Sequence, residues 1–270
     1  MEPRLVLLTN NGFEGRALAQ RLVQSGMPPA LIVREGHLAP ATYRWHSRLA
    51  RKVVGDPLVD RIAALRAKEE DRATRAWEVR MGARAHKWLV HACQERHLPD
   101  EWPQGCESMI ASSVNTAEVL SRIHAISPDV LVVYGTRLLK EPLLSLSPYG
   151  ALNGHSSLLP QYRGTRSEFW QCYNNDPEHV GISIHLVDRL VDTGPVLLKQ
   201  PTSTLWPIDP FLLRAMNTVA ILENYPRAIQ GYLTGELLPM QQGPVEARTY
   251  FDREHTMAAR TELRKRFEHR

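Results

Sequence analysis

The chain has 270 residues, enough to bury a substantial core as one large domain with appendages. An apolar content of 43% and a charged content of 23% exclude a fibrous or disordered polymer and fit a globular protein. A formal net charge of +4 requires neither nucleic acid nor an anionic surface as partner. Between Arg34 and Arg96, 14 Lys and Arg stand against 8 Asp and Glu, an excess read first as a solvated helical face. Cys93, Cys106 and Cys172 are odd in number and lack CxxC or Cys/His spacing. A disulfide framework and a zinc site are therefore not expected, and a reducing cytoplasm is. The start carries no charged-then-apolar leader, and no apolar stretch approaches the roughly 20 residues of a membrane span. A soluble, cytoplasmic protein without membrane contact is the expectation.

In chain order, Arg4 to Thr9 is a short apolar run of the kind buried in a parallel sheet. Asn10-Asn11-Gly12 supplies a turn, Phe13 to Gln24 has helical spacing, Gly26 closes the helix, and Ala30 to Val33 is the next strand. This opening predicts a doubly wound α/β protein with a mostly parallel, Rossmann-like sheet. The turn lacks GxGxxG, so a dinucleotide is not indicated, although amides near Asn11 and Gly12 could meet an anionic part of a substrate. From Ala41 to about His97 the pattern is helical, with an apolar stripe at Leu58, Ile62, Leu65, Trp77, Met81, Trp88 and Leu89. It reads as a helical insertion that shapes a pocket or makes a homodimer.

Leu98 to Gly105 reads as a loop and Ser108 to Ser112 as a short strand. Asn115 is expected to cap the following helix, with Glu118 completing a capping box. Asp129 to Tyr134 is a central strand, and Gly135-Thr-Arg-Leu-Leu139 follows at its carboxyl end, where open α/β sheets bind ligands. Leu138 and Leu139 can also begin a helix running through Leu144. A helix from Ser167, a strand from Val180 to Leu186, a strand from Pro195 to Leu198 and an amphipathic helix from Asp209 to Ile229 come next. The basic tail ends in a short helix from His255. Residues 1–205 are expected to be the catalytic unit and 206–270 a short C-terminal helical extension.

The chemistry concentrates in two stretches. Leu152-Asn-Gly-His-Ser-Ser-Leu-Leu-Pro-Gln-Tyr-Arg-Gly164 places Asn153 and His155 at i and i+2, on one side of an extended segment. Val187-Asp-Arg-Leu-Val-Asp-Thr-Gly-Pro195 places Asp192 ahead of a bend. An amide donor, a titratable ring and a carboxylate are the groups that acyl transfer to an amine requires. Singly, each has a plain structural reading as a turn former, a buried histidine or a loop cap.

These two stretches, with the Gly181-Ile-Ser-Ile-His185 strand between them, resemble the folate-dependent formyltransferase family. That family includes glycinamide ribonucleotide, methionyl-tRNA and amino-sugar N-formyltransferases. The resemblance runs from about Ile110 to Gln200 and implies 10-formyltetrahydrofolate as co-substrate, with no metal. It makes Asn153, His155 and Asp192 the catalytic residues. Asn153 would stabilise a tetrahedral oxyanion, and His155 would donate to the same oxygen and relay the amine's proton. Asp192 would hold His155 as imidazolium or take the proton through water. The resemblance also carries folate contact to Thr136, Arg137, Leu138 and Leu139, and Asp188 and Val191 are expected to join them. Amine-substrate contact is expected at Asn11, Gly12, Tyr162, Arg163 and His185, the last of which could equally point into the core. Ser156 and Ser157 are read as loop hydrogen-bonders.

For the acceptor, the tail shows too few alternating strands for the RNA-binding barrel of methionyl-tRNA formyltransferases, so a nucleic-acid partner is not expected. Tyr134-Gly-Thr-Arg-Leu-Leu and Tyr162-Arg-Gly-Thr-Arg-Ser-Glu-Phe-Trp resemble formyltransferases of surface-polysaccharide and natural-product pathways. They imply a small-molecule amine, an amino sugar that is often nucleotide-linked. The alternatives are a hydrolase releasing formate from the same folate, and a non-catalytic binding module of the same fold.

Overall fold

The computed structural model describes residues 3–36, 57–202, 204–243 and 247–268, and of residues 57–64 only the backbone. Along the chain run β1 (Leu5–Asn10), α1 (Phe13–Gln24), β2 (Pro29–Glu35), α2 (Pro57–Glu95), β3 (Ser108–Ala111), α3 (Ala117–Ile126), β4 (Val130–Tyr134), α4 (Glu141–Leu144) and β5 (Ala151–His155). There follow β6 (Arg163–Gly164), α5 (Ser167–Asn174), β7 (Gly181–Leu186), β8 (Val196–Pro201), α6 (Pro210–Leu233), β9 (Thr249–Tyr250) and α7 (Met257–Glu268).

Seven strands form one sheet in the order β3-β2-β1-β4-β5-β7-β8. The first five are parallel; β7 and β8 are added antiparallel. The apolar runs of β1 and β4 are buried on both faces, which is why they do not alternate. On one face Leu5, Leu7, Val132 and Leu152 pack against α1, the last turns of α2 and α6. On the other, Val6, Leu8, Leu31 and Val133 pack against α3 and α4. The chain leaves β1 for β2 on one side and reaches β4 on the other, so the crevice of a doubly wound sheet opens at the carboxyl ends of β1, β4 and β5.

Helix α2 enters the core through Ala85, Leu89, Ala92 and Cys93, the i, i+4, i+7 and i+8 positions of one helical face. Upstream Trp77 is buried against Phe211 and Phe267, whereas Leu65 and Trp88 are exposed, so the expected stripe is only partly a packing face. Expected helix at 41–56 lies outside the described residues. The expected boundary at 205/206 falls between β8 and α6, and α6 shares the core beneath the sheet with α1 and α2. Asp209 starts α6 by accepting from the amides of Phe211 (3.1 Å) and Leu212 (3.0 Å), with Pro210 in the first helical position.

Two local expectations are corrected. The residue capping α3 is Thr116, whose hydroxyl accepts from the Val119 amide, and not Asn115. The helix before β5 is only Glu141–Leu144, so Leu138 and Leu139 lie in open loop. The tail also does more than end in a helix. Its β9 pairs with β6, and Tyr250 stacks on Tyr162 (5.6 Å between ring centres) and Trp170 (4.8 Å), forming a third apolar cluster with α5 and α7.

Candidate active site

β5 ends at the crevice and delivers Asn153 and His155 to it. Both point away from α6, because Gly154 between them lies against that helix: a Cβ on Gly154 would stand 2.6 Å from Ile221 Cγ2 and 3.0 Å from the Tyr225 ring. Strand pairing supplies the next member. Asn153 is registered opposite His185 on β7, so their side chains share a face. The Asn153 amide nitrogen lies 3.2 Å from His185 Nε2, and His185 Nδ1 lies 2.8 Å from the Leu186 carbonyl. With Nδ1–H spent on that carbonyl, Nε2 accepts from the Asn153 NH2 and leaves its second N–H unspent.

His155 is buried and held from two sides. Its Nε2 is 2.8 Å from the Tyr162 carbonyl and 3.2 Å from Ser167 Oγ, which itself donates to that carbonyl. Nδ1 lies 3.5 Å from Asp192 Oδ2. Both ring nitrogens thus face acceptors, an arrangement satisfied when each carries a proton. Asp192 Oδ1 is 3.5 Å from His185 Nε2, and the Gly164 amide donates to Oδ2 at 2.8 Å. Burial opposes ionisation of Asp192. The charge of His155 and the Gly164 amide outweigh it and hold the carboxyl well below the usual carboxylate range.

The structure therefore brings Asn153, His155 and Asp192 together, with His185 as a fourth, 1% exposed member. Gln242 is a residue the sequence did not flag. Its amide donates to the carbonyls of Asp192 and Gly194, both at 2.8 Å, while its oxygen accepts from Arg163 at 2.7 Å. Arg163 is thus committed to the Asp192 loop. Tyr162 offers the site its carbonyl; its phenol donates to Asp176 at 2.7 Å, away from the cluster. Asn11 and Gly12 lie at the start of α1 on the same rim, with the Gly12 amide turned to Asn10 Oδ1.

On the α3/α4 face, two loops flank the cluster. One carries Thr136, Arg137, Leu138 and Leu139, the other Asp188 and Val191. Arg189 of the second forms an ion pair with Glu141 beside the first, and Leu139 and Val187 share one apolar cluster. Buried Glu35 accepts from the amides of Arg137 (2.8 Å) and Val114 (3.2 Å). Asn115 donates to the Leu138 carbonyl (3.0 Å) and accepts from the Lys140 amide (2.8 Å). Neither Glu35 nor Asn115 was flagged for this role, because their partners lie 102 and 23 residues away. Asp188 closes its own loop, accepting from the Thr193 hydroxyl at 2.7 Å and the Leu190 amide at 3.1 Å. Leu138 and Leu190, one per loop, are each 67% exposed, leaving apolar surface that a flat ring would cover.

A groove of about 840 Å³ opens elsewhere, lined by Trp77, Arg80, Arg84, Leu205, Met216 and Phe267 among others. It includes neither Asn153, His155 nor Asp192; the chemistry of the donor set, not cavity size, marks the site. Among the described residues no group of three His, Cys, Asp or Glu is arranged to hold a metal ion, and no helix is long and apolar enough to cross a membrane.

Residues 74–207 match the family model described as formyl transferase. A methionyl-tRNA formyltransferase of Trichlorobacter lovleyi is 35% identical over 130 residues, 48% of this chain and 41% of the relative, so the chain spans less than half of that protein's length. Two solved structures share the fold at low identity. A phosphoribosylglycinamide formyltransferase from Anaplasma phagocytophilum has a TM-score of 0.57 at 14% identity, covering 93% of this chain and 98% of that one. A sugar N-formyltransferase from a Shewanella species has a TM-score of 0.54 at 11% identity, covering 93% and 78%. With the sheet order, the Asn153/His155 strand and the Asp192 loop in place, the chain belongs to the formyl transferase family.

Proposed function

We propose that the protein transfers the formyl group of 10-formyltetrahydrofolate to the primary amine of a small-molecule acceptor, with an amino sugar as the leading class. The observation that carries this reading is the convergence of Asn153, His155 and Asp192, with one Asn153 N–H unspent, at the rim of the sheet. The co-substrate supplies the formyl carbon. Leu138 and Leu190 fit the faces of its pterin, and the backbone groups of residues 136–140 and 188–191 fit its edge.

Each residue then has one task. Asn153 gives its free N–H to the formyl oxygen as negative charge builds there, a donor worth on the order of 3 kcal/mol in a dry site. His185 keeps that amide turned the right way. His155, held at Nε2 by Tyr162, gives its Nδ1 proton to the departing nitrogen and regains one from the acceptor nitrogen. Asp192 stays ionised and stabilises the protonated ring.

The similarity to methionyl-tRNA formyltransferases favours a second acceptor, an aminoacyl-tRNA. The test incubates the protein and 10-formyltetrahydrofolate with amino sugars, their nucleotide-linked forms and methionyl-tRNA, following tetrahydrofolate release. Amine-dependent release that His155→Ala abolishes supports transfer. Release that ignores the amine makes the protein a hydrolase, and methionyl-tRNA as the sole acceptor overturns the small-molecule reading.

A further inference from the structure

Asp192 sits in the left-handed region, with φ +52°, a conformation that a residue with a side chain keeps only where its surroundings enforce it. The bend that follows is tight: Gly194 is buried, and a Cβ there would stand 1.9 Å from the Leu186 carbonyl oxygen. Two ties hold Asp192 in place. Its carboxylate accepts from the Gly164 amide at 2.8 Å. Its backbone is held by Gln242, whose amide nitrogen lies 2.8 Å from the carbonyl oxygens of both Asp192 and Gly194.

Gln242 reaches this place because the tail runs along the start of β8. Met240 and Val196 exchange backbone hydrogen bonds at 2.8 and 2.9 Å, and in that antiparallel register residue 242 stands opposite residue 194. The side-chain amide can stand only one way round. Oε1 accepts from Arg163 at 2.7 and 3.1 Å while the N–H groups go to the two carbonyls; a flipped amide would set oxygen against oxygen and nitrogen against guanidinium. Since Arg163 precedes Gly164, the contacts close into a ring. It runs from the Asp192 carboxylate through the Gly164 amide, the Arg163 side chain and Gln242 back to the Asp192 carbonyl. The loop after His155 and the loop carrying Asp192 are thus joined by a residue outside the expected catalytic unit of residues 1–205.

We propose that Gln242 is a positioning residue for formyl transfer: its two N–H groups hold the bend at Asp192 and thereby set the carboxylate against His155 and His185. Each imidazole has a nitrogen 3.5 Å from that carboxylate, one per oxygen, so a turn of the Asp192 backbone disturbs both at once. Without Gln242 the buried Gly194 carbonyl loses its partner, and Asp192 is free to leave the left-handed conformation. The inference rests on the formyl-transfer reading and adds to it that the tail completes the reacting centre. Gln242 acts through Asp192 and touches neither substrate in this reading, so its loss falls on kcat.

The test compares Gln242→Met and Gln242→Glu with the wild type and with Asp192→Asn. Methionine removes every polar contact at nearly constant volume, whereas glutamate keeps the acceptor for Arg163 and removes only the donors. Both variants lower kcat by about 10- to 100-fold, as misplacing a catalytic group does, and leave KM for folate and amine within about twofold. In NMR spectra the ring-nitrogen signals of His155 and His185 move in both variants, in the direction that Asp192→Asn moves them. Unchanged kcat in both, a loss confined to KM, or ring signals at their wild-type positions overturns the role. A loss in only one of the two also overturns it, since the Arg163 contact or the added charge, and not the missing donors, is then responsible. If the wild type formylates no amine, formyl transfer itself fails, and the ring signals alone decide whether Gln242 positions Asp192.

Discussion

The Asn153 amide nitrogen stands 3.2 Å from His185 Nε2, so the orientation of the proposed oxyanion donor is set by a neighbouring ring and not by Asn153 itself. The ring is fixed in turn by the Leu186 carbonyl at 2.8 Å. His185→Ala therefore lowers kcat by about 10- to 100-fold, a part of what loss of an oxyanion donor costs. KM for folate and for the amine changes little, since neither would touch His185. A rise confined to KM contradicts the positioning role.

Gly154 lets α6 approach the backbone between two proposed catalytic residues. Gly154→Ala forces its methyl against Ile221 and Tyr225 and costs about 1–3 kcal/mol of stability. Activity falls with it, because relief requires β5 or α6 to move. Ile221→Ala in the same chain restores part of the lost stability, as urea unfolding measures.

Glu35 and Asn115 brace the loop assigned to the folate without reaching the reacting groups. Asn115→Ala frees the Leu138 carbonyl and the Lys140 amide. It raises KM for 10-formyltetrahydrofolate by about 3- to 30-fold, one or two hydrogen bonds' worth, and leaves KM for the amine alone. Steady-state kinetics with each substrate varied in turn distinguishes the two.

Acid sensitivity is built into the tail. His255 packs edge-on against Phe169, 4.4 Å between ring centres. Burial, then the charges of Arg166 and Arg260, lower its pKa from 6.5 to about 4. Between those values the unfolded chain binds the proton and the folded chain does not, so stability is full above 6.5 and falls as pH drops toward 4. Urea midpoints fall more between pH 7 and pH 5 in the wild type than in His255→Phe; parallel losses contradict the assignment.

The strands and the motif were legible because their signals are local. The apolar runs of β1 and β4, the i, i+2 spacing of Asn153 and His155, and the bend after Asp192 need no knowledge of distant residues. What the sequence hid depends on long-range pairing. Asn115 has the chemistry of a helix cap, and only the folded chain shows its side chain spent on the loop 23 residues away while Thr116 caps the helix. Gln242 sits in a polar stretch with no pattern, yet it ties the tail to the Asp192 carbonyl. His185 closes an alternating strand, and its partner became visible only through the β5–β7 register. Likewise the pairing of β9 with β6 is two residues long, too short to leave a periodic trace.

The most direct measurement follows an isotopically labelled formyl carbon from 10-formyltetrahydrofolate by mass spectrometry, with an amine acceptor present, in wild-type protein and in His155→Ala. The account predicts that the label appears in a new amide on the acceptor with the wild type and not with the variant. Label recovered as free formate, or amide formed equally well without His155, contradicts it.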